Sequence, residues 1–250
     1  QIRYAYDAAG RLMNAGAARF TYDPAGNMTA RADASGRATY RYDQDNRLVE
    51  ASVSGRTVRY RYNGDGDRVL RQVGDTVTHY VNVRLGDRTE VVAERQADGW
   101  VYFVHGDTRV ARIDERGDVS YFLEGPLDST RFVVDAAGAE VSRYAYSPFG
   151  QPTLEAGRNA TAFQFAGEAW DADTNLLYLR ARYYDPSLGR FITADPAAAD
   201  PVVPATFNRY VYANSDPINQ IDPSGLQSQR AEPAGQAPAG PRAPGTAVAD

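Results

Sequence analysis

The 250-residue chain is 43% hydrophobic and 11% aromatic, enough for a sizeable core, so it is globular in class and not disordered. A formal net charge of -5 argues against a phosphate-binding surface and so against nucleic acid as a partner. With no cysteine, no disulfide staples the fold and neither redox compartment is indicated, and no run approaches the ~18 apolar residues of a membrane span. The chain starts at Gln1 inside a repeat, without a charged or apolar leader. It reads as a fragment whose true N-terminus, and any export signal, lies upstream.

The repeats come first. Tyr6-Asp7, Tyr22-Asp23, Tyr42-Asp43 and Tyr62-Asn63 recur at intervals of 16, 20 and 20 residues. Before each Asp or Asn the apolar positions alternate, as in Phe20 and Tyr22, Tyr40 and Tyr42, or Val58, Tyr60 and Tyr62, the period of a strand buried on one face. After the Tyr, the Asp or Asn can bond its own turn backbone, and Gly10, Gly26 or Gly64 can supply a positive φ. Each unit therefore reads as strand, tight turn, strand, and residues 1–135 as an all-β antiparallel array with the paired tyrosines on one face. From about Val77 to Asp135 the repeat blurs, yet TEVVAE, GWVYFVHG, TRVARID, DVSYFLEG and TRFVVD remain β-rich runs separated by Gly and Asp.

Residues 136–226 are denser and read as a distinct closing module. Residues 227–250 hold four Pro, three Gly and seven Ala with almost no large apolar side chain, so a disordered tail is expected there.

The Tyr-Asp units together with LDSTRFVVDAAGAEVSRYAYSPFGQP, LLYLRARYYDPSLGRFITADP and NRYVYANSDPINQIDPSGL closely resemble the Rhs repeat-associated core. That family includes bacterial polymorphic toxins, the C component of insecticidal toxin complexes and wall-associated repeat proteins. The resemblance covers roughly residues 1–226. It implies a segment of a coiled β-sheet shell that, with its upstream repeats, encloses a toxic C-terminal effector. It also implies an aspartic autoprotease that severs the effector after the Leu of DPxGL, and a secreted or cell-surface location. Carried over, the catalytic pair is Asp195 and Asp222, and the cleavage site is the bond between Leu226 and Gln227. The chain departs from the family in three places. LDSTR puts Asp128 where Gly is usual, Asn214-Ser215-Asp216-Pro217 replaces Asn-Asn-Pro, and AAADPVVPAT lies between the two aspartates.

Peptide hydrolysis by two carboxylates needs them about 3 Å apart sharing a proton, one activating water while the other protonates the carbonyl or leaving amine. Asp195 and Asp222 are 27 residues apart, a distance a fold-back closes. Against this, Asp-Pro occurs six times, at Asp23, Asp185, Asp195, Asp200, Asp216 and Asp222, and most such pairs simply form turns.

Other constellations fail as sites. Asn63-Gly-Asp65-Gly-Asp67 and Asp171-Ala-Asp173-Thr-Asn175 begin like calcium loops but lack the later Gly and Glu, and His79 and His105 have no second ligand in spacing. No metal and no cofactor is expected. Tyr178, Tyr183 and Tyr184 with Arg180, Arg182 and Arg190 read as packing of arginine over rings.

The competing function is a non-catalytic cell-surface or wall-associated repeat protein that presents a binding surface, with DPSGL as a remnant. A complete toxin enzyme is disfavoured, because the 24 residues after Leu226 resemble a linker.

Overall fold

The computed structural model describes residues 2–86, 88–158, 161–197, 204–226 and 228–230. The array opens with β1 (Tyr4–Tyr6), β2 (Leu12–Ala15), β3 (Ala18–Tyr22), β4 (Met28–Asp33), β5 (Gly36–Tyr42), β6 (Leu48–Val53), β7 (Arg56–Tyr62) and β8 (Arg68–Val73). It continues through β9 (Thr76–Leu85), β10 (Arg88–Gln96), β11 (Gly99–His105), β12 (Arg109–Asp114), β13 (Val119–Glu124), β14 (Thr130–Asp135), β15 (Glu140–Tyr146) and β16 (Pro152–Gly157). These strands form one open 16-stranded sheet in which each pairs antiparallel with its chain neighbour. The all-β antiparallel array read from the tyrosine period is therefore what the chain builds.

The turn chemistry repeats with the sequence. Asp43 Oδ1 accepts the N–H groups of Asp45 (3.0 Å) and Arg47 (2.9 Å), and Oδ2 accepts Arg47 Nε at 2.7 Å. The residue three positions on takes positive φ: Gly10, Gly26, Asn46 and Gly66. In the fourth unit that residue is Gly66 and not the expected Gly64: Asn63 opens the turn as read, accepting the N–H groups of Asp65 and Asp67, and the left-handed position falls three residues on, as in the other units. One residue before each of these turns the register shifts, as between Arg41 and Tyr42, so the tyrosine sits on a bulge. From there Tyr42 donates to Met28 O (2.8 Å) and Tyr62 to Leu48 O (2.6 Å), tying each hairpin to the one before.

The same carboxylate turn recurs at Asp114 and Asp135, where the sequence pattern blurs. The sheet accordingly passes through the boundary expected at 135/136 and ends with β16.

The sheet's inner face is apolar, with Phe20, Met28, Tyr40, Leu48, Val58 and Tyr60 all buried. Residues 161–197 and 204–226 cover it as a plug, built on a four-stranded sheet of β17 (Ala169–Asp171), β18 (Leu176–Leu179), β19 (Arg182–Asp185) and β20 (Arg190–Phe191). Alternation decides which side chains face which way. Leu176, Tyr178 and Tyr183 join the core against the large sheet, while Leu177, Leu179, Tyr184 and Phe191 pack with Trp170 and Tyr212 on the other side. Near the end of the plug, β21 (Gln220–Ile221) pairs with β22 (Gln229–Arg230). Gln229 and Arg230 of the expected tail thus pair with the plug, and 227 and 231–250 lie outside the described residues.

Charged groups key the plug to the sheet. Arg71 of β8 donates to both oxygens of buried Asp171 (2.7 and 2.8 Å) and to Asp173 (2.5 Å), while Tyr60 donates to Asp171 at 2.7 Å. The carboxylates of the second calcium-like stretch therefore face arginine. Burial pushes the Asp171 carboxyl up, but the bonds from Arg71 and Tyr60 carry it below its ordinary 3.8. A carboxyl depressed in the folded state adds stability that is complete above its unfolded value and is lost as pH falls through the folded one. Arg71→Met is expected to lower the unfolding free energy by about 3 kcal/mol near neutral pH, since it strands a buried carboxylate. In urea titrations at several pH values, the gap to wild type should narrow below about pH 4.

Candidate functional site

Three successive residues of one turn hold three successive carbonyls of the closing loop. β18 and β19 are joined through Arg180 and Ala181, with Leu179 paired to Arg182. Arg180 Nη1 donates to Pro223 O at 2.5 Å, the Ala181 N–H to Ser224 O at 3.2 Å, and Arg182 Nε to Gly225 O. The loop comes this close because Gly225 has no side chain. Its φ is 72°, and a Cβ there would overlap the Leu179 carbonyl oxygen.

So held, Asp222 is 2% exposed. Its Oδ1 accepts the Leu226 N–H at 3.0 Å and the Ser224 hydroxyl at 3.2 Å. Its Oδ2 faces Arg182 Nη2 at 3.6 Å, and the same nitrogen lies 2.9 Å from Asp195 Oδ2. Asp195 is fixed by its surroundings: Oδ1 accepts the Ala197 N–H (2.8 Å), its own N–H donates to Arg209 O (2.8 Å), and Arg209 Nε donates back to its carbonyl (2.8 Å). Arg182 also donates Nη1 to Arg209 O (3.1 Å) and lies 3.7 Å over the Phe191 ring. Burial pushes the Arg182 guanidinium below its ordinary value, while Asp195 and Asp222 oppose the shift. A cleft of about 350 Å³ opens here, lined by Arg182, Asp195, Asn208, Asn214, Asp222 and Leu226.

The fold-back thus brings Asp195 and Asp222 into one site, with Leu226 in contact with Asp222. The arrangement differs from the expected proton-sharing pair in one respect: a guanidinium nitrogen stands between the carboxylates and offsets their repulsion. Gln227 and Asp200 lie outside the described residues. Asp216 builds a turn, accepting Asn219 Nδ2 at 2.9 and 3.1 Å. Asp128 takes a φ of 53° at the position where the family usually has Gly. The arginines were missed as site residues. Arg182 does stack on a ring, as read, but it also bridges the two aspartates. The available signal was Arg180, whose φ of 53° occupies a hairpin turn position that favours Gly.

The sequence matches the teneurin YD-shell family over residues 1–218. Among curated proteins it is 29% identical over 166 residues to a tRNA3(Ser)-specific nuclease WapA of Bacillus spizizenii, covering 64% of this chain and 7% of that protein. It is 26% identical over 238 residues to the double-stranded DNA deaminase toxin A of Burkholderia cenocepacia, covering 90% and 15%. Among solved structures, a crystal structure of TcdB2-TccC3-Cdc42 superposes with a TM-score of 0.62 at 21% identity, covering 90% of this chain and 13% of that one. The chain therefore spans a small fraction of the length of these much longer relatives.

Gly225→Ala is expected to unseat the closing loop, since it adds both a clash and a left-handed backbone penalty of roughly 1–2 kcal/mol. Hydrogen exchange checks this: the Leu226 amide should lose protection while the amides of β5 to β7 keep theirs.

Proposed function

Because this chain belongs to the teneurin YD-shell family, we propose that it is the closing segment of a longer, secreted or surface-displayed repeat shell that holds a C-terminal effector and frees it by cutting between Leu226 and Gln227. The observation that carries this reading is the convergence of Asp195, Asp222 and Arg182 on a loop whose Leu226 N–H is held by Asp222 itself. In the proposed step, one carboxylate takes a proton from water as its oxygen attacks the Leu226 carbonyl carbon. The other carboxyl, protonated, gives its proton to the Gln227 nitrogen as the C–N bond breaks. The products are a Leu226 carboxylic acid and a free Gln227 amine, and the proton that the new acid then sheds is taken up by that amine. Arg182 balances charge between the two acids throughout. Sequence similarity to WapA and to a deaminase toxin supports an effector as cargo, and those proteins' activities are their own.

A second reading, a non-catalytic surface repeat protein, is favoured by one observation. Asp222 binds the N–H four residues on, as Asp7, Asp43, Asp114 and Asp135 do in plain turns.

The two readings separate by intact mass of the chain expressed with its upstream repeats and its C-terminal extension. Fragments ending at Leu226 and beginning at Gln227 are expected. Asp195→Asn and Asp222→Asn should each abolish the cut, whereas Asp200→Asn and Asp216→Asn should leave it. An uncut wild type, or a cut that survives Asp222→Asn, would overturn the proposal and leave the structural reading.

A further inference from the structure

We propose that Arg180 is a positioning residue that makes cleavage conditional on the plug being seated against the sheet. The proposal rests on the self-cleavage reading above. None of Arg180's described hydrogen bonds goes to either aspartate of the site. Its side chain instead joins three separate parts of the chain. Nε donates to Thr89 O at 2.7 Å and Nη2 to Glu90 Oε1 at 2.7 Å, both on β10 of the large sheet. Nη1 binds both oxygens of Glu168 at the start of the plug, at 2.8 and 2.9 Å. The same Nη1 reaches Pro223 O, the carbonyl next in the chain after Asp222.

Two features mark this as more than packing. First, Arg180 occupies a left-handed backbone position at which glycine is unstrained, so the side chain is kept where the turn alone would favour its removal. Second, the acids it joins are buried and mutually repelling unless a cation lies between them: Glu90 is 7% exposed and Glu168 7% exposed. Arg109 supports Glu90 from the other side at 3.0 Å. If β10 moves away, Arg180 keeps Glu168 but loses Thr89 O and Glu90, and the Pro223 carbonyl, with Asp222 beside it, is no longer referenced to the wall through this side chain. Cleavage in a half-folded shell would release the cargo outside its container. A clamp that needs the wall in place prevents that order of events.

The test follows the cut at Leu226 by intact mass during cell-free synthesis of the full-length chain. Arg180→Lys keeps a cation between Glu90 and Glu168, so the fold is retained, but a single ammonium cannot reach Thr89 O and Pro223 O together. It is expected to slow cleavage roughly tenfold to a hundredfold, the range that a misplacement of about 1 Å produces. Arg180→Ala should be slower still and should be partly restored by millimolar guanidinium but not by urea at the same concentration. The control is Arg59→Met, which removes an exposed arginine of β7 whose described side-chain bond goes to Glu50 within the sheet and not to the plug. That variant should cut at the wild-type rate. Arg180→Lys cutting as fast as wild type would overturn the role of Arg180, and so would Arg59→Met slowing as much as Arg180→Lys. An uncut wild-type chain would instead overturn the cleavage reading on which the proposal stands.

Discussion

An open sheet with Phe20, Tyr40 and Tyr60 on one face cannot leave that face in water, and the rest of the molecule follows from covering it. Aromatic side chains dominate the burial available here. The repeats cannot cover one another, because each hairpin pairs edge to edge with its neighbours and adds only width to the sheet. The cover has to come from elsewhere in the chain. The plug supplies it with a second sheet, whose own alternation gives it one face toward the array and one toward Trp170 and Tyr212.

Apolar burial fixes that the plug is covered but does not fix its position along the sheet. Position is set by charge. Arg31 meets Asp185 at 2.9 Å, Arg71 meets Asp171, and Glu90 meets Arg180, three sheet-to-plug pairs spread over β4, β8 and β10. A buried ion pair adds little net stability over a packed apolar pair, but a plug seated one strand away would bury each of these charges alone, at a cost of several kcal/mol. The pairs therefore select one register out of many that the aromatic rows would accept. The closing loop inherits that register through Arg180, Ala181 and Arg182.

The strands were legible because their signal is local: Tyr-x-Tyr sets the face, and an Asp or Asn followed by Gly sets the turn. Local reading faltered where chemistry replaced identity. At Asp114 and Asp135 the carboxylate turn persists without a preceding tyrosine, and at Asn63 the positive φ falls two residues beyond the first glycine. Asp195 and Asp222 were legible only through family resemblance, since six Asp-Pro pairs look alike in sequence. Arg180 and Arg182 were read as packing because their decisive partners lie far away in the chain, Thr89 in one direction and Gly225 in the other. Periodicity cannot encode such contacts. What could have flagged them is the absence of Asn or Gly from a two-residue hairpin turn, a local rule broken beside the proposed site.

The proposed catalytic loop is built from the fold's own commonest part. Asp222 forms the same bond to the fourth amide on that Asp43 uses to close a repeat turn, so the fold needed no new backbone geometry to present Leu226. What distinguishes this turn is its surroundings: a second carboxylate from Asp195 and a buried guanidinium shared between the two. Such a site needs no pocket to capture a free peptide, because the bond to be cut is tethered four residues from one of its acids. Tethering replaces a bimolecular encounter with an intramolecular one, an advantage that reaches roughly 7–11 kcal/mol in well-oriented systems. A modest acid pair would then suffice for the proposed cut, which is made once per chain. The burden shifts from catalytic power to placement, and placement is what the turn from Arg180 to Arg182 supplies.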